Sequence, residues 1–317
     1  MPRWLKAVIA TGLLALLAAG VDWQAVPGHL AQVTAGMTAL ALAVLVLELI
    51  ANAWKWSAAL RLHDLPHPWG FLFRVSCMAY FFNNFMPSAI GGDVYRVYRT
   101  WPKDAAKSRA VSAVLLERLT GLAAMLLNGA FGALLLVERS ELARSYLVLA
   151  ACGVLGGVIG VGLLYFGGME RLARLVHRFP RLEPLESNLR RIVRPRREWL
   201  TLLAASFAFQ WLAAAYVYCT FAAVGVHLDL GAALLITAAA GVAAVLPISI
   251  SGLGVVEGSI AGSAVALGFP YEPALLAAIL SRLLVSVISA LCGLFYLFDR
   301  PPADLVTAGS AQARRLG

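Results

Sequence analysis

Apolar residues cluster in nine runs, near 5–21, 31–53, 70–86, 110–137, 146–167, 199–224, 231–248, 253–269 and 274–298. Several approach about 20 residues, the length at which a helix crosses the hydrocarbon core of a bilayer. Two stretches break this pattern. The run 70–86 passes into "NNFMPSAIGGDVYR", Asn83 to Arg96, and 231–269 is interrupted by "PISISGLGVVEG". Paired amides, prolines, glycines and acids suit neither an ordinary membrane helix nor an ordinary loop. Non-helical backbone at membrane depth needs burial in protein or a polar cavity. The pattern therefore predicts an all-α, polytopic helical membrane protein with six full spans and two broken, re-entrant hairpins.

Basic residues orient these elements, because cytoplasmic loops carry an excess of Lys and Arg. Arg3 and Lys6 place the N-terminus inside, and 22–30 has no Lys or Arg, so it lies outside. Lys55, Arg61 and Arg74 return the chain to the inside. If 70–86 crossed the membrane, Arg96, Arg99, Lys103, Lys107 and Arg109 would all lie outside, so this run is expected to enter and come back. The loop 168–198 holds nine arginines, whereas "GVHLDLG" and "GFPYEP" hold none. The last span leaves Arg300, Arg314 and Arg315 inside. In all, 22 of the 26 basic residues fall on one side. Charge does not separate a re-entrant hairpin from two short spans over 231–269. The N-terminal "MPRWLKAVIATGLLALLAAG" fits a signal peptide or a first span; the span completes the topology.

Composition agrees: 61% of residues are hydrophobic and 14% charged, against roughly 45–50% and 25% in soluble domains. The net charge of +9 is read as loop orientation, not as nucleic-acid binding. Cys77, Cys152, Cys219 and Cys292 each stand alone in an apolar run, without metal-ligand or CxxC spacing, and read as packing residues. His63 and His67 are separated by Pro66, which prevents a shared helical face. No metal and no cofactor is expected, and no nucleotide-binding GxxxxGK[ST] motif occurs.

The runs also repeat. Each half reads span, span, broken hairpin, span, the first from inside to outside and the second the reverse. That is an inverted-topology repeat, common among transporters. The halves are about 1–140 and 145–298 within one domain, 1–298; 299–317 is expected to be a disordered tail. "MPSAIGGD" has a counterpart in "LPISISGLGVVE", and "LLERLTGL" in "ILSRLLVS", which aligns Arg118 with Arg282.

Those two arginines are the sharpest chemical signal. Arg118 lies nine residues beyond Arg109, and Arg282 nine beyond Pro273. At about 1.5 Å per residue each is roughly 13 Å into its helix. An arginine at that depth costs roughly 2.5–3.5 kcal/mol on insertion scales. Each either meets a substrate anion, for which its fork is suited, or neutralises an acid such as Glu48, Asp93 or Glu257, or snorkels to the interface. At the hairpin tips, Pro87 and Pro247 end helices. Gly91, Gly92, Ser251, Gly252 and Gly254 allow tight reversals or close approach. A helix starting after such a turn offers N–H groups to an anion. Asn83 and Asn84 hold the tip or contact a headgroup. Glycines such as Gly153, Gly156, Gly157 and Gly160 read as close helix packing. The loop 168–198 reads as basic amphipathic stretches on an anionic leaflet or as plain orientation bias.

With their spacing, "NNFMPSAIGGDVYR", "LLERL", "PISISGLGVVEG" and "SRLL" resemble the lysylphosphatidylglycerol synthase transmembrane-domain family of flippase-like proteins, over about 5–298. The resemblance implies movement of a lipid headgroup between leaflets. The expected partner is a membrane lipid with an anionic headgroup in a bacterial inner membrane, with both termini cytoplasmic and a lipid-biosynthesis enzyme as a possible second partner. The headgroup stays open among aminoacyl-phospholipid, hopanoid and polyprenyl-linked lipids. Lysyl transfer is not expected, since no synthase domain follows the last span. In this reading Arg118 and Arg282 bind phosphate, Asn83, Asn84, Asp93, Arg96 and Glu257 line or support the site, and Asp93 or Glu257 carries protons. The rivals are an integral-membrane enzyme acting on a lipid phosphate, with an acid as general base, and an accessory anchor for a lipid-modifying enzyme.

Overall fold

The structure is a computed structural model that describes residues 33–85, 91–101, 107–163, 197–245 and 249–295, with positions 11, 12, 17 and 28 isolated before them. The first span, most of 5–21, lies almost wholly outside the described residues. So do Pro87, Pro247, nearly all of the loop 168–198, and 299–317.

The described elements are all helical. They are α1 (Ala35–Leu62), α2 (Trp69–Phe85), α3 (Gly91–Thr100), α4 (Lys107–Leu136), α5 (Glu141–Leu163), α6 (Arg197–Ala223), α7 (Leu230–Val245), a 3-10 turn (Ile250–Gly252), α8 (Val255–Ala266) and α9 (Tyr271–Gly293). Five of them, α1, α4, α5, α6 and α9, are long and apolar enough to cross a membrane. They are the predicted full spans other than the first.

Burial is arranged inside out. Val148, Leu155 and Val158 of α5 and Leu115 and Leu119 of α4 are exposed, while Lys55, Asp93, Arg96, Glu117 and Glu257 are buried. Water as the outer solvent would penalise this arrangement; a hydrocarbon one favours it, because charges there must face protein or a cavity. The ten-residue α3 shows the same logic at small scale. Gly92, Asp93, Arg96, Val97 and Thr100 recur at helical spacing on its buried face, and Val94 and Tyr98 point out.

The repeat is present in the packing. α1 and α6 hold equivalent places in the two halves, and they lie against one another. Thr34, before α1, donates its N–H to the carbonyl of Ala223, the last residue of α6, at 2.8 Å. At the other end, Ala58 and Arg61 share a cavity wall with Arg197 and Thr201. Equivalent helices thus run antiparallel, as inversion requires. Further contacts come in matched pairs. α2 meets α3 as α7 meets α8; α4 packs on α7 as α9 packs on α2; and α1 meets α4 as α6 meets α9.

Small residues set some of these approaches, as is usual between membrane helices. A Cβ added at Gly132 of α4 would sit 2.8 Å from the carbonyl oxygen of Gly231 in α7. The glycines of α5 differ from expectation. Gly156, Gly157 and Gly160 have nothing within 4 Å, and Gly153 meets only Leu126. Most of that glycine stripe therefore packs against no described helix. Two cysteines do act as packing residues: Cys77 of α2 and Cys292 of α9 share one buried apolar cluster with Leu49 of α1. The buried His63 bonds the Ala59 carbonyl at 2.8 Å and the Ser112 hydroxyl at 2.9 Å, tying α1 to α4.

Candidate functional site

The two breaks are built by different means. At the second, Ser251, Gly252 and Gly254 have φ of 51°, 73° and 78°, left-handed values that favour glycine. This is a tight reversal. At the first, Gly92 does not have a positive φ. Gly92 is required by proximity instead: a Cβ there would collide with the Ala79 carbonyl and lie 2.6 Å from Asn83 Oδ1.

Each helix that follows a break has one N–H group at its start engaged by a side chain of the protein itself. The Gly92 N–H donates to Asn83 Oδ1 at 2.9 Å, and the Gly254 N–H donates to Glu257 Oε2 at 2.7 Å. Gly254 has no side chain to return the second bond, so only one half of a capping box forms. Asn84 donates to the Tyr80 carbonyl one turn back, at 3.0 Å. Both asparagines therefore hold local structure, while also lining the cavity described below.

Beyond each break the acid in the first helical turn pairs with the arginine of the next helix. Asp93 accepts from Arg118 Nε at 2.7 Å and also pairs with its Nη2. Glu257 pairs with Arg282 Nε. Both pairs are separated by 25 residues in sequence. The aligned arginines thus occupy equivalent places, and each has an internal counter-ion. They differ in access: the side chain of Arg118 is 49% exposed and that of Arg282 20%.

The first half adds a second cluster that has no counterpart among the described residues of the second half. Glu117 receives Lys55 Nζ at 3.0 Å on one oxygen and Arg96 Nη1 at 2.9 Å on the other. All three side chains are buried. Lys55 also lies over the Phe209 ring and Arg96 over the Trp56 ring, at 4.8 and 5.7 Å. Arg96 Nε is buried without a hydrogen-bond partner. In the second half the equivalents of Arg96 and Glu117, by the common offset from Asp93 and Glu257, are Ile260 and Ser281.

These groups surround a cavity of about 450 Å³ between the halves. Its charged wall is Glu48, Lys55, Asp93, Arg96, Glu117 and Arg118, with Asn52, Asn83, Asn84 and Gln210 as neutral polar groups. α6 and α7 contribute Phe209, Ala244 and Val245. Asp93, Arg96, Arg118 and both asparagines therefore meet in one place. Arg282 and Glu257 are not among its described lining residues, although the 3-10 turn touches α2 and Arg282 lies against Gly252.

Lys55, Asn52 and Glu117 were absent from the expected site. Lys55 was expected in a cytoplasmic loop; α1 instead continues to Leu62 and buries it. A signal for them existed. Glu48, Asn52 and Lys55 lie at i, i+4 and i+7, one face of one helix, once the helix is extended past 53.

Apolar helices outside, buried ion pairs inside and a polar cavity between two inverted halves define a polytopic helical membrane protein. The chain belongs to the family described as the lysylphosphatidylglycerol synthase TM region, whose match covers residues 3–293. No curated protein matches it.

Proposed function

We propose that this chain is a lipid translocase of the bacterial inner membrane, with both termini cytoplasmic. It moves a phosphate-bearing lipid between leaflets through the cavity between its halves, while the acyl chains stay in the bilayer. An aminoacyl-phospholipid, a hopanoid and a polyprenyl-linked lipid all carry suitable chemistry, and the enzyme that makes the lipid is the natural partner. One observation carries this reading: three cations, Lys55, Arg96 and Arg118, converge on one cavity inside a protein whose outer surface is apolar. Cations at such depth are rare; they pair with acids, as these do, and mark substrate or ion paths. Arg118 is the best placed to reach a phosphate, since half of its side chain is open. Arg282 acts from the other break, by holding α8 through Glu257. Antiparallel, equivalent halves support alternating access by rocking of one half against the other.

The test uses purified protein in liposomes with headgroup-labelled lipid. Wild type exchanges the label between leaflets. Arg118→Ala reduces exchange roughly tenfold or more, since a hydrogen bond to a charged group is worth about 1.5–3 kcal/mol. Arg282→Ala also slows it. Chemical conversion of the lipid would establish an enzyme instead. Exchange unchanged in both variants would remove these arginines from the mechanism.

A further inference from the structure

We infer that Glu48 is a proton-binding site whose occupancy sets the net charge of the cavity, so that a proton and an anionic headgroup bind and move together. The transport half of this inference rests on the translocase reading; the proton site does not.

The cavity wall carries three cations and three acids. Asp93 is held by Arg118, and Glu117 by Lys55 and Arg96. Glu48 makes no hydrogen bond and no ion pair with any described residue. It stands on α1 between Leu45 and Leu49 on the cavity wall. A carboxyl group in such a place is far cheaper to hold neutral than charged. Glu257, outside the cavity wall, is held by Arg282. Glu48 is therefore the carboxyl group placed to gain and lose a proton, in preference to Asp93 or Glu257.

Its charged surroundings are few. On α1 the field of Lys55 reaches it. On α2 the phenol Tyr80 lines the same cavity, and on α6 the Tyr216 hydroxyl donates to the Ser281 carbonyl at 2.6 Å. The remaining charges are already paired: Glu117 and Arg118 on α4, Asp93 and Arg96 on α3, and Arg282 on α9. The thiols Cys77 on α2 and Cys292 on α9 face each other.

With Glu48 protonated, the cavity holds one positive charge in excess; with Glu48 ionised, it is neutral. An anion is drawn to the first state. By reciprocity, an anion in the cavity strengthens proton binding at Glu48. Anion affinity thus rises as pH falls through the titration of Glu48. The bond formed is the Oε–H bond of Glu48, from water on one side, and the bond broken is the same one, to water on the other.

The test mixes the purified full chain, in weakly buffered detergent, with a short-chain phospholipid bearing a singly charged phosphate headgroup. In wild type, binding takes up protons, and affinity rises by up to about tenfold per pH unit. Glu48→Gln, fixed in the neutral form, shows neither proton uptake nor pH-dependent affinity. Undiminished uptake in Glu48→Gln, or flat affinity in wild type, overturns the inference. pH-difference infrared spectra of lipid-free protein test the proton site alone. A carboxylic-acid band that is lost in Glu48→Gln and kept in Asp93→Asn supports it, and absence of that band from wild type overturns it. A correctly assigned band without lipid binding or exchange would sink the translocase reading and leave the proton site standing.

Discussion

Glu117 accepts from Lys55 and Arg96 at 3.0 and 2.9 Å, with all three side chains buried. Removing one partner of such a cluster strands charge in a low-dielectric site, which costs about 3–5 kcal/mol. Glu117→Gln is therefore expected to lower the thermal unfolding temperature of detergent-solubilised protein sharply. A second change, Lys55→Met, removes one stranded cation and should restore part of the loss. A double variant no more stable than Glu117→Gln alone would contradict this coupling. At this scale the sequence identified Arg118 and Arg282 as cations at membrane depth and Asp93 and Glu257 among their possible counter-ions. It did not say which acid goes with which base, because partners 21 to 62 residues apart are chosen by helix packing. Glu117 and Arg118 are neighbours in sequence, yet they serve different clusters, since adjacent residues point to different faces of a helix.

At the scale of elements, glycines of one composition serve three purposes. Gly92 admits the backbone of α2 against α3, so Gly92→Ala should cost about 1–3 kcal/mol by overpacking and disturb the Asn83 bond. Gly254 holds φ at 78°, so Gly254→Ala should cost about 1–3 kcal/mol through backbone strain. Gly156 has open space around it, so Gly156→Ala should change stability by no more than about 0.5 kcal/mol. Chemical unfolding of the three variants in one detergent checks the ranking; equal losses at all three would refute it. The existence of each described α-helix except the polar α3 was legible from apolar run length. Its end was less so: α1 runs nine residues past the predicted boundary at 53, to Leu62. A run of hydropathy stops at the first charge, whereas a helix continues while its polar side chains find partners.

Over the whole molecule, the antiparallel pairing of α1 with α6 and the matched contacts of the hairpins describe two halves of opposite sense. In that arrangement α2 and α3 form one hairpin whose return leg is short. At about 1.5 Å per residue, ten residues cover roughly 15 Å, half of a bilayer core. The segment before α4 is then expected on the cytoplasmic side. Ser108→Cys, in a background without the native cysteines, should react with a membrane-impermeant maleimide in inside-out vesicles and not in intact cells. Labelling from outside in intact cells would require α2 to cross the membrane.

Run lengths, charge bias and the paired motifs were sufficient to determine the membrane class, five long spans and the repeat, because hydrophobic thickness and backbone hydrogen bonding leave few alternatives in a bilayer. Tertiary structure alone decided where the charges meet. It placed Arg118 at an open cavity and Arg282 away from its described wall, buried Lys55 beside Glu117, and left Glu48 without a partner among the described residues. The physical reason is that burial is read from each residue's own chemistry, while ion pairing depends on the distance between side chains from different helices, and the packing of those helices sets that distance.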